Sequence, residues 1–257
     1  YSKDLLKEKF DLIVIALSLS GIDFIGKELK DLEIQIPILV LTKGLKYERK
    51  KKKILTISEK LNKDFKINDI SILKGPCLAK ELAKENQTSV IIANKNIKKA
   101  KKIGKMISTK YYLIEYSKDI IGVEISSAIK NIYAMIIGAG QSLNAASNLF
   151  QKSIVEMKYL IKFFKGDVET ILGLAGVGDL YVSAAGGRNS KMGSYLGKGF
   201  KFKIAKKRFM AKDTVEGEQL VREIAPYVLK KIDKKKIPLM INLIKVIKDN
   251  KRLKIKV

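Results

Sequence analysis

Apolar residues fall along this chain in two different rhythms. In the first part, short runs rich in Ile and Val recur: DLIVIALS (11–18), PILVLT (37–42), ISIL (70–73), SVIIAN (89–94) and YYLIEY (111–116). Runs of this length and composition read as strands. Between them lie amphipathic stretches at helical spacing, Glu48–Leu61, Ala79–Asn86 and Ile97–Ile107, with the lysine cluster Lys50–Lys53 as a solvated helix start. Strand and helix in alternation predict an α/β fold with a largely parallel sheet. From about Ile120 the rhythm changes, and helical periodicity covers 119–146, 149–165, 214–232 and 237–249. This predicts an all-α second part, with a boundary near Tyr116–Asp119 and a long helix after it that leans on both parts. The basic, poorly patterned segment Lys198–Lys212 reads as a surface loop.

Composition narrows the function more than the fold. A chain of 257 residues with 46% hydrophobic content can bury a substantial core. There is no His, which removes the commonest metal ligand and the commonest general base. A zinc site or a His-based triad is thereby excluded, and no metal is expected. The single Cys, Cys77, rules out an internal disulfide and fits a reducing compartment. No uninterrupted apolar run is long enough to span a bilayer, so no stable membrane insertion is expected.

The formal net charge is +26, which invites a nucleic-acid reading. Only five of the basic residues are Arg, however, against 47 Lys. Readers of phosphates and bases lean on Arg for its fork of donors. Here Lys is spread evenly, together with abundant Ile and Asn, as nucleotide bias in a gene would produce. Nucleic acid is not the expected partner, although the charge can steer small anions toward the chain.

Two segments carry candidate chemistry. In GVEISSAIKN (122–131), one Lys stands on an apolar helical stretch. Some fifty residues later comes GLAGVGDLYVSAAGGRN (173–189), a Gly-rich stretch ending in Arg-Asn. Burial lowers the pKa of a lysine and makes it usable in proton transfer. Arg188 offers a fork that matches phosphate oxygens, at the start of a helix predicted over Ser190–Leu196. The pair points to a site for an anionic small molecule. Plainer alternatives stay open on the residues alone. Lys130 can snorkel at a helix edge, Asp179 can serve turn chemistry, and Glu216 can simply favour a helix N-terminus.

In order and wording, these segments resemble the NAD(P)-dependent glycerol-3-phosphate dehydrogenases. The likeness runs through DLIVIALS (11–18), ILVLTKGL (38–45), LKGPCLAKELA (73–83), GVEISSAIKNIYAMIIG (122–138), GLAGVGDLYVS (173–183), GGRNSKMGSYLGKG (186–199) and TVEGEQLVREI (214–224). It implies a partial Rossmann-type parallel-sheet domain over 1–118, the remainder of a dinucleotide-binding domain. An all-helical substrate-binding domain over 119–257 would follow. It implies an oxidoreductase that interconverts sn-glycerol 3-phosphate and dihydroxyacetone phosphate with NAD or NADP. Reduction, for glycerophospholipid synthesis in the cytoplasm, would be the working direction. Lys130 would be catalytic. Lys43, Gly75, Cys77, Lys130, Asp179, Gly187, Arg188 and Asn189 would meet a phosphorylated small-molecule substrate. Lys43, Ala79, Arg188, Thr214 and Glu216 would meet the cofactor. A homodimer is compatible with the resemblance.

The chain also departs from the family pattern. No G-x-G-x-x-G fingerprint precedes the first strand, and Gly173-Leu-Ala-Gly-Val-Gly178 has the wrong spacing and position for one. The resemblance implies roughly 65 further residues before Tyr1, about the size of a βαβ half. Cys77 stands where the family has Ser or Thr, and a thiol is the weaker donor. The stretch from Asp179 to Arg188 is shorter than the bacterial form, with Gly187 in place of Ser before the Arg. Thr214 stands where the family often has an aliphatic residue. Rival readings are a related hydroxy-acid dehydrogenase, an inactive N-terminally truncated fragment and a basic nucleic-acid-binding module.

Overall fold

The computed structural model describes residues 10–30 and 36–254. Its first layer is a five-stranded sheet of β1 (Ile13–Ile15), β2 (Ile38–Val40), β5 (Ile70–Lys74), β6 (Thr88–Ala93) and β7 (Tyr112–Ser117), in that spatial order. The junctions β1–β2, β2–β5 and β6–β7 are parallel, and β5–β6 is antiparallel. The central strands are apolar on both faces because both are covered. Ile15, Ile38, Val40, Ile72, Ile91 and Ala93 pack toward α1 (Ile22–Lys30) and α2 (Ile57–Phe65). The intervening residues Leu39, Leu73, Val90 and Ile92 pack toward α4 (Ile97–Ile107) on the other side. A period of two assigns neighbouring residues to opposite cores.

Three of the expected helices need correction. The stretch 48–61 is not one helix. β3 (Leu45–Glu48) and β4 (Lys53–Thr56) form an antiparallel hairpin, and Lys50–Lys53 belongs to its turn and the start of β4. The helix α2 begins only after a capping box, in which the Thr56 side chain accepts from the Glu59 N–H and the Glu59 carboxylate accepts from the Thr56 N–H. A run of lysines has no apolar rhythm, so the pattern could not distinguish the two. The stretch 79–86 is helical only over Ala79–Leu82 (α3). The run 119–146 breaks into α5 (Ile120–Gly138) and α6 (Leu143–Phe163), because Ser142 caps the second helix from the Ala145 N–H.

Lys198–Lys212 also differs from its expectation. It contains α9 (Phe202–Phe209), whose Phe202 and Ala205 are buried while Phe209 stacks on Tyr195 at 4.4 Å. The basic residues on its outer face obscured that spacing.

The second layer is built around α5. Every residue from Gly122 to Ile137 is buried. At 19 residues this helix is apolar enough to cross a membrane by length and composition, against the expectation. Its most apolar window is 89% buried by other parts of the chain, so its apolarity serves the core. Around it lie α6, α7 (Asp179–Gly186), α8 (Arg188–Gly197), α10 (Glu216–Lys231) and α11 (Pro238–Lys248). α8 approaches α5 unusually closely. A side chain at Gly193 would overlap the main-chain carbonyl of Met135, so only glycine allows this contact.

Glu156 organises the far end of this layer. It is buried on α6, and its Oε1 accepts from the Leu239 N–H at 2.6 Å. Oε2 accepts from the Met240 N–H at 3.1 Å and from the Tyr133 hydroxyl at 3.0 Å. Burial pushes its carboxyl up to about 6, from an ordinary 4.5. Glu156→Ala strands three donors, so it should cost on the order of 3 kcal/mol in denaturant unfolding, with Glu156→Gln costing less. A carboxyl whose folded pKa is raised stabilises most below its unfolded value and loses that contribution as pH rises through the folded value. The stability gap between the parent and Glu156→Gln should therefore narrow between about pH 4.5 and about 6; a gap that widened over this range would contradict the assignment.

Candidate functional site

The two layers meet at an open cleft of about 750 Å³. One wall is the carboxyl edge of β1 and β2, residues 16–19 and 41–44. The other comes from α5, α7, the start of α8 and the start of α10. A cleft outside the carboxyl ends of parallel strands is where open α/β sheets bind ligands.

Lys130 lies at the cleft, 5% exposed, on the mostly apolar α5. Its ammonium donates to Asp179 Oδ1 at 2.6 Å and to Ser183 Oγ at 2.6 Å. Asp179 and Ser183 stand four residues apart on α7, and so share one face of that helix. The other carboxylate oxygen of Asp179 accepts from Lys43 Nζ at 2.8 Å. One buried carboxylate thus joins two ammonium groups from opposite walls. Burial, and next the charge of Lys43, push the Lys130 amine down to about 8, while Asp179 and Glu216 act in the opposite direction. A proton-transfer group near that value changes state close to neutral pH.

Arg188 opens α8, with Gly187 as the N-cap residue. Its guanidinium pairs with Glu216 Oε1, at the first position of α10. Asn189 ties three elements together: its Nδ2 donates to Asn131 Oδ1 at 3.1 Å, and its Oδ1 accepts from the Gly217 N–H at 2.9 Å. The helix start, with main-chain N–H groups lacking intrahelical partners, faces the same cleft as Lys130 and Lys43. Three cations against two carboxylates leave the cleft positive, which favours an anionic ligand.

Of the sequence candidates, Lys43, Lys130, Gly187, Arg188, Asn189, Thr214 and Glu216 line this cleft. Asp179 lies buried behind it, bonded to two of its lysines. Gly75, Cys77 and Ala79 do not line it, although Leu78 between them does. Gly75 sits at φ +128°, with the Cα of Val90 3.1 Å from where a Cβ would be, and this close turn alone accounts for the glycine. Cys77 is an exposed residue, and partial burial of its thiol pushes it up, away from the reactive thiolate. The Gly173–Gly178 stretch contains a single π-helical turn, in which the Gly178 N–H donates to the Gly173 carbonyl at 3.2 Å, and α7 follows directly.

Ser183 and Lys74 were not among the candidates. Ser183 was within reach, since it follows Asp179 by one helical turn. Lys74 was not: nothing in the sequence distinguishes a lysine ending ISIL from any other lysine. It is 2% exposed, and burial pushes its amine down to about 7.

Residues 119–257 match the model of the NAD-dependent glycerol-3-phosphate dehydrogenase C-terminus, and residues 4–100 match that of the N-terminus. The chain is 32% identical over 206 residues to an NADP(+)-dependent glycerol-3-phosphate dehydrogenase from Archaeoglobus fulgidus, covering 75% of this chain and 60% of that protein. It is 31% identical over 227 residues to a glycerol-3-phosphate dehydrogenase [NAD(P)+] from Mycoplasma mobile, covering 84% and 65% respectively. The chain therefore spans about three fifths of the length of these relatives. In fold it superimposes on the crystal structure of glycerol-3-phosphate dehydrogenase from Coxiella burnetii with a TM-score of 0.83, at 24% identity, covering 94% of this chain and 74% of that one.

The shared carboxylate makes a test that needs no substrate. Competitive labelling of amines across pH should give Lys130 a midpoint near 8. Asp179→Asn removes the charge that holds the proton on, so the Lys130 midpoint should fall below that of the parent. A midpoint that stayed put or rose would show that Asp179 does not govern this amine.

Proposed function

The chain belongs to the NAD-dependent glycerol-3-phosphate dehydrogenase family, and on that premise we propose that its cleft interconverts sn-glycerol 3-phosphate and dihydroxyacetone phosphate, with NAD or NADP as hydride carrier. The observation that carries this reading is Lys130: a buried amine near neutral pKa, anchored by Asp179 and Ser183, in one cleft with an arginine at a helix N-terminus.

In the proposed reaction, the Lys130 ammonium gives its proton to the substrate C2 oxygen as hydride reaches C2. In the reverse direction the neutral amine takes that proton from the hydroxyl. Asp179 keeps the amine in place, and Lys43 contributes a second positive charge beside it. The phosphate lies at the start of α8, against Arg188, Gly187 and Asn189, where free N–H groups and a guanidinium fork both suit its oxygens. Arg188 comes to the phosphate from its pairing with Glu216. The loop after β5, with Gly75 and Cys77, is proposed to meet the substrate beside Leu78, which lines the cleft.

The residues present fit the reacting end of a nicotinamide cofactor. The loops after β1 and β2 form the cleft wall facing Lys130, and Glu216 and Thr214 lie across from them. When bound, the cofactor supplies or accepts the hydride. Lys43, Ala79, Arg188, Thr214 and Glu216 are the proposed contacts for it. Residues 1–118 are proposed to contribute to dinucleotide binding and 119–257 to form the substrate-binding domain. The proposed setting is cytoplasmic glycerophospholipid synthesis, with a homodimer as the proposed assembly.

Lys130→Ala should cut turnover of dihydroxyacetone phosphate by about 10²–10⁴-fold, the usual size of a general acid–base contribution, while substrate affinity changes less. Turnover within a few-fold of the parent would rule out the proton-transfer role. In the parent, reduction should weaken and oxidation strengthen as pH rises through about 8, since reduction needs the ammonium and oxidation the amine.

Arg188→Lys replaces a bidentate fork by a point charge. It should impair dihydroxyacetone phosphate strongly and an unphosphorylated analogue little. Steady-state kinetics with both substrates decides, and equal losses would move Arg188 to the cofactor or to structure alone.

A further inference from the structure

Lys43 stands on backbone that has left the sheet. β2 ends at Val40, and the next contact with β1 is a single bond from the Leu41 N–H to the Ile15 carbonyl at 2.8 Å. Thr42 is held from that side by its hydroxyl, which donates to the Leu17 carbonyl at 2.8 Å. On the other side lies Lys74, the last residue of β5. Its ammonium donates to the carbonyls of Thr42 at 2.7 Å, Leu41 at 3.0 Å and Val40 at 3.4 Å. Three donors thus meet three consecutive carbonyls, and the next residue is Lys43.

This arrangement is costly by itself. An ammonium out of water loses its hydration, and a side chain of equal length without charge would fill the space as well. The carboxylate of Glu124 on α5 offsets part of the cost, while Lys43 adds to it and Asp179 reduces it. Glu124 is itself held by the Ser58 N–H at 3.1 Å and the Ser58 hydroxyl, and although burial pushes its carboxyl up, it acts on Lys74 through charge rather than through a hydrogen bond. What Lys74 touches is main chain, and all of it leads into the site.

We propose that Lys74 is a positioning residue: its buried ammonium fixes the carbonyls of Val40, Leu41 and Thr42 so that Lys43 reaches Asp179, and the carboxylate stays shared between Lys43 and Lys130. The proposal rests on the dehydrogenase reading only for its effect on turnover; the positioning itself is independent of it.

Two variants test it, Lys74→Met and Lys74→Ser. Met keeps the length and loses the donors, and Ser leaves room for water to meet the carbonyls. Each is compared with the parent by competitive amine labelling across pH, read by mass spectrometry at Lys43 and Lys130, and by thermal unfolding. With the clamp gone, Lys43 should label several-fold faster. Lys130 then loses a repelling neighbour and keeps Asp179 to itself, so its labelling midpoint should rise by about one unit, the effect of one nearby charge. Reduction of dihydroxyacetone phosphate should fall in kcat at temperatures where both variants remain folded.

A folded variant with a lowered melting point but unchanged labelling at both lysines would overturn the proposal and leave Lys74 a stabilising group only. Failure of both variants to fold would overturn it in the same way. If Met alone fails to fold, the Ser variant decides on the same readings. Shifted labelling in the variants, together with a parent that does not reduce dihydroxyacetone phosphate, would uphold the positioning and reject the dehydrogenase reading.

Discussion

The carboxylate of Asp179 is the point on which the site depends. It accepts from Lys43 on the sheet side and from Lys130 on the helical side, and it is itself 4% exposed. A buried carboxylate is stable only when its charge is matched and its oxygens are bonded. Two lysines do both. Burial first, and then the charge of Lys43, push the Lys130 amine down to about 8, while the bond to Asp179 holds it in place.

That contact requires the two layers to meet at a fixed separation, and α5 supplies it. The helix is buried on every side over most of its length, so it cannot rotate to expose Lys130 elsewhere. Its apolar composition, which by length alone would suit a bilayer, is satisfied by α6, α7, α8, α10 and α11. The close approach at Gly193 then brings the N-terminus of α8 to the level of Lys130. Asn189, bridging Asn131 and the start of α10, locks that approach by hydrogen bonds. Arg188 and Glu216 are carried to the cleft as a consequence of this packing.

The charge of the whole chain has little to do with this design. The lysines are mostly exposed, and their number says more about composition than about ligand. Three matter here: Lys74 and Lys130, both buried, and Lys43, which is exposed but paired with the buried Asp179. Electrostatic interactions strengthen as water is excluded, so a few buried charges at short range outweigh many solvated ones.

The alternation of strands and helices, the all-helical second part and the identity of the lysine on α5 were all legible along the chain. Apolar periodicity is a local property, and a charged residue in a mostly apolar helix is visible wherever that periodicity is strong. The pattern failed where it carried no rhythm. The lysines at 50–53 hid a hairpin, the basic segment 198–212 hid α9, and the run 119–146 hid the break between α5 and α6. Gly75 and Cys77 read as site residues because of the motif around them, yet it is Leu78 beside Cys77 that lines the cleft. The sharing of Asp179 between two lysines, the bond from Lys130 to Ser183, and the clamp of Lys74 on three carbonyls were decided only by tertiary structure. Lys43 and Asp179 are 136 residues apart, and Lys74 lies more than thirty residues from each carbonyl it holds. Contacts across such separations depend on how layers pack, and a residue's own neighbours in the chain contain no record of that.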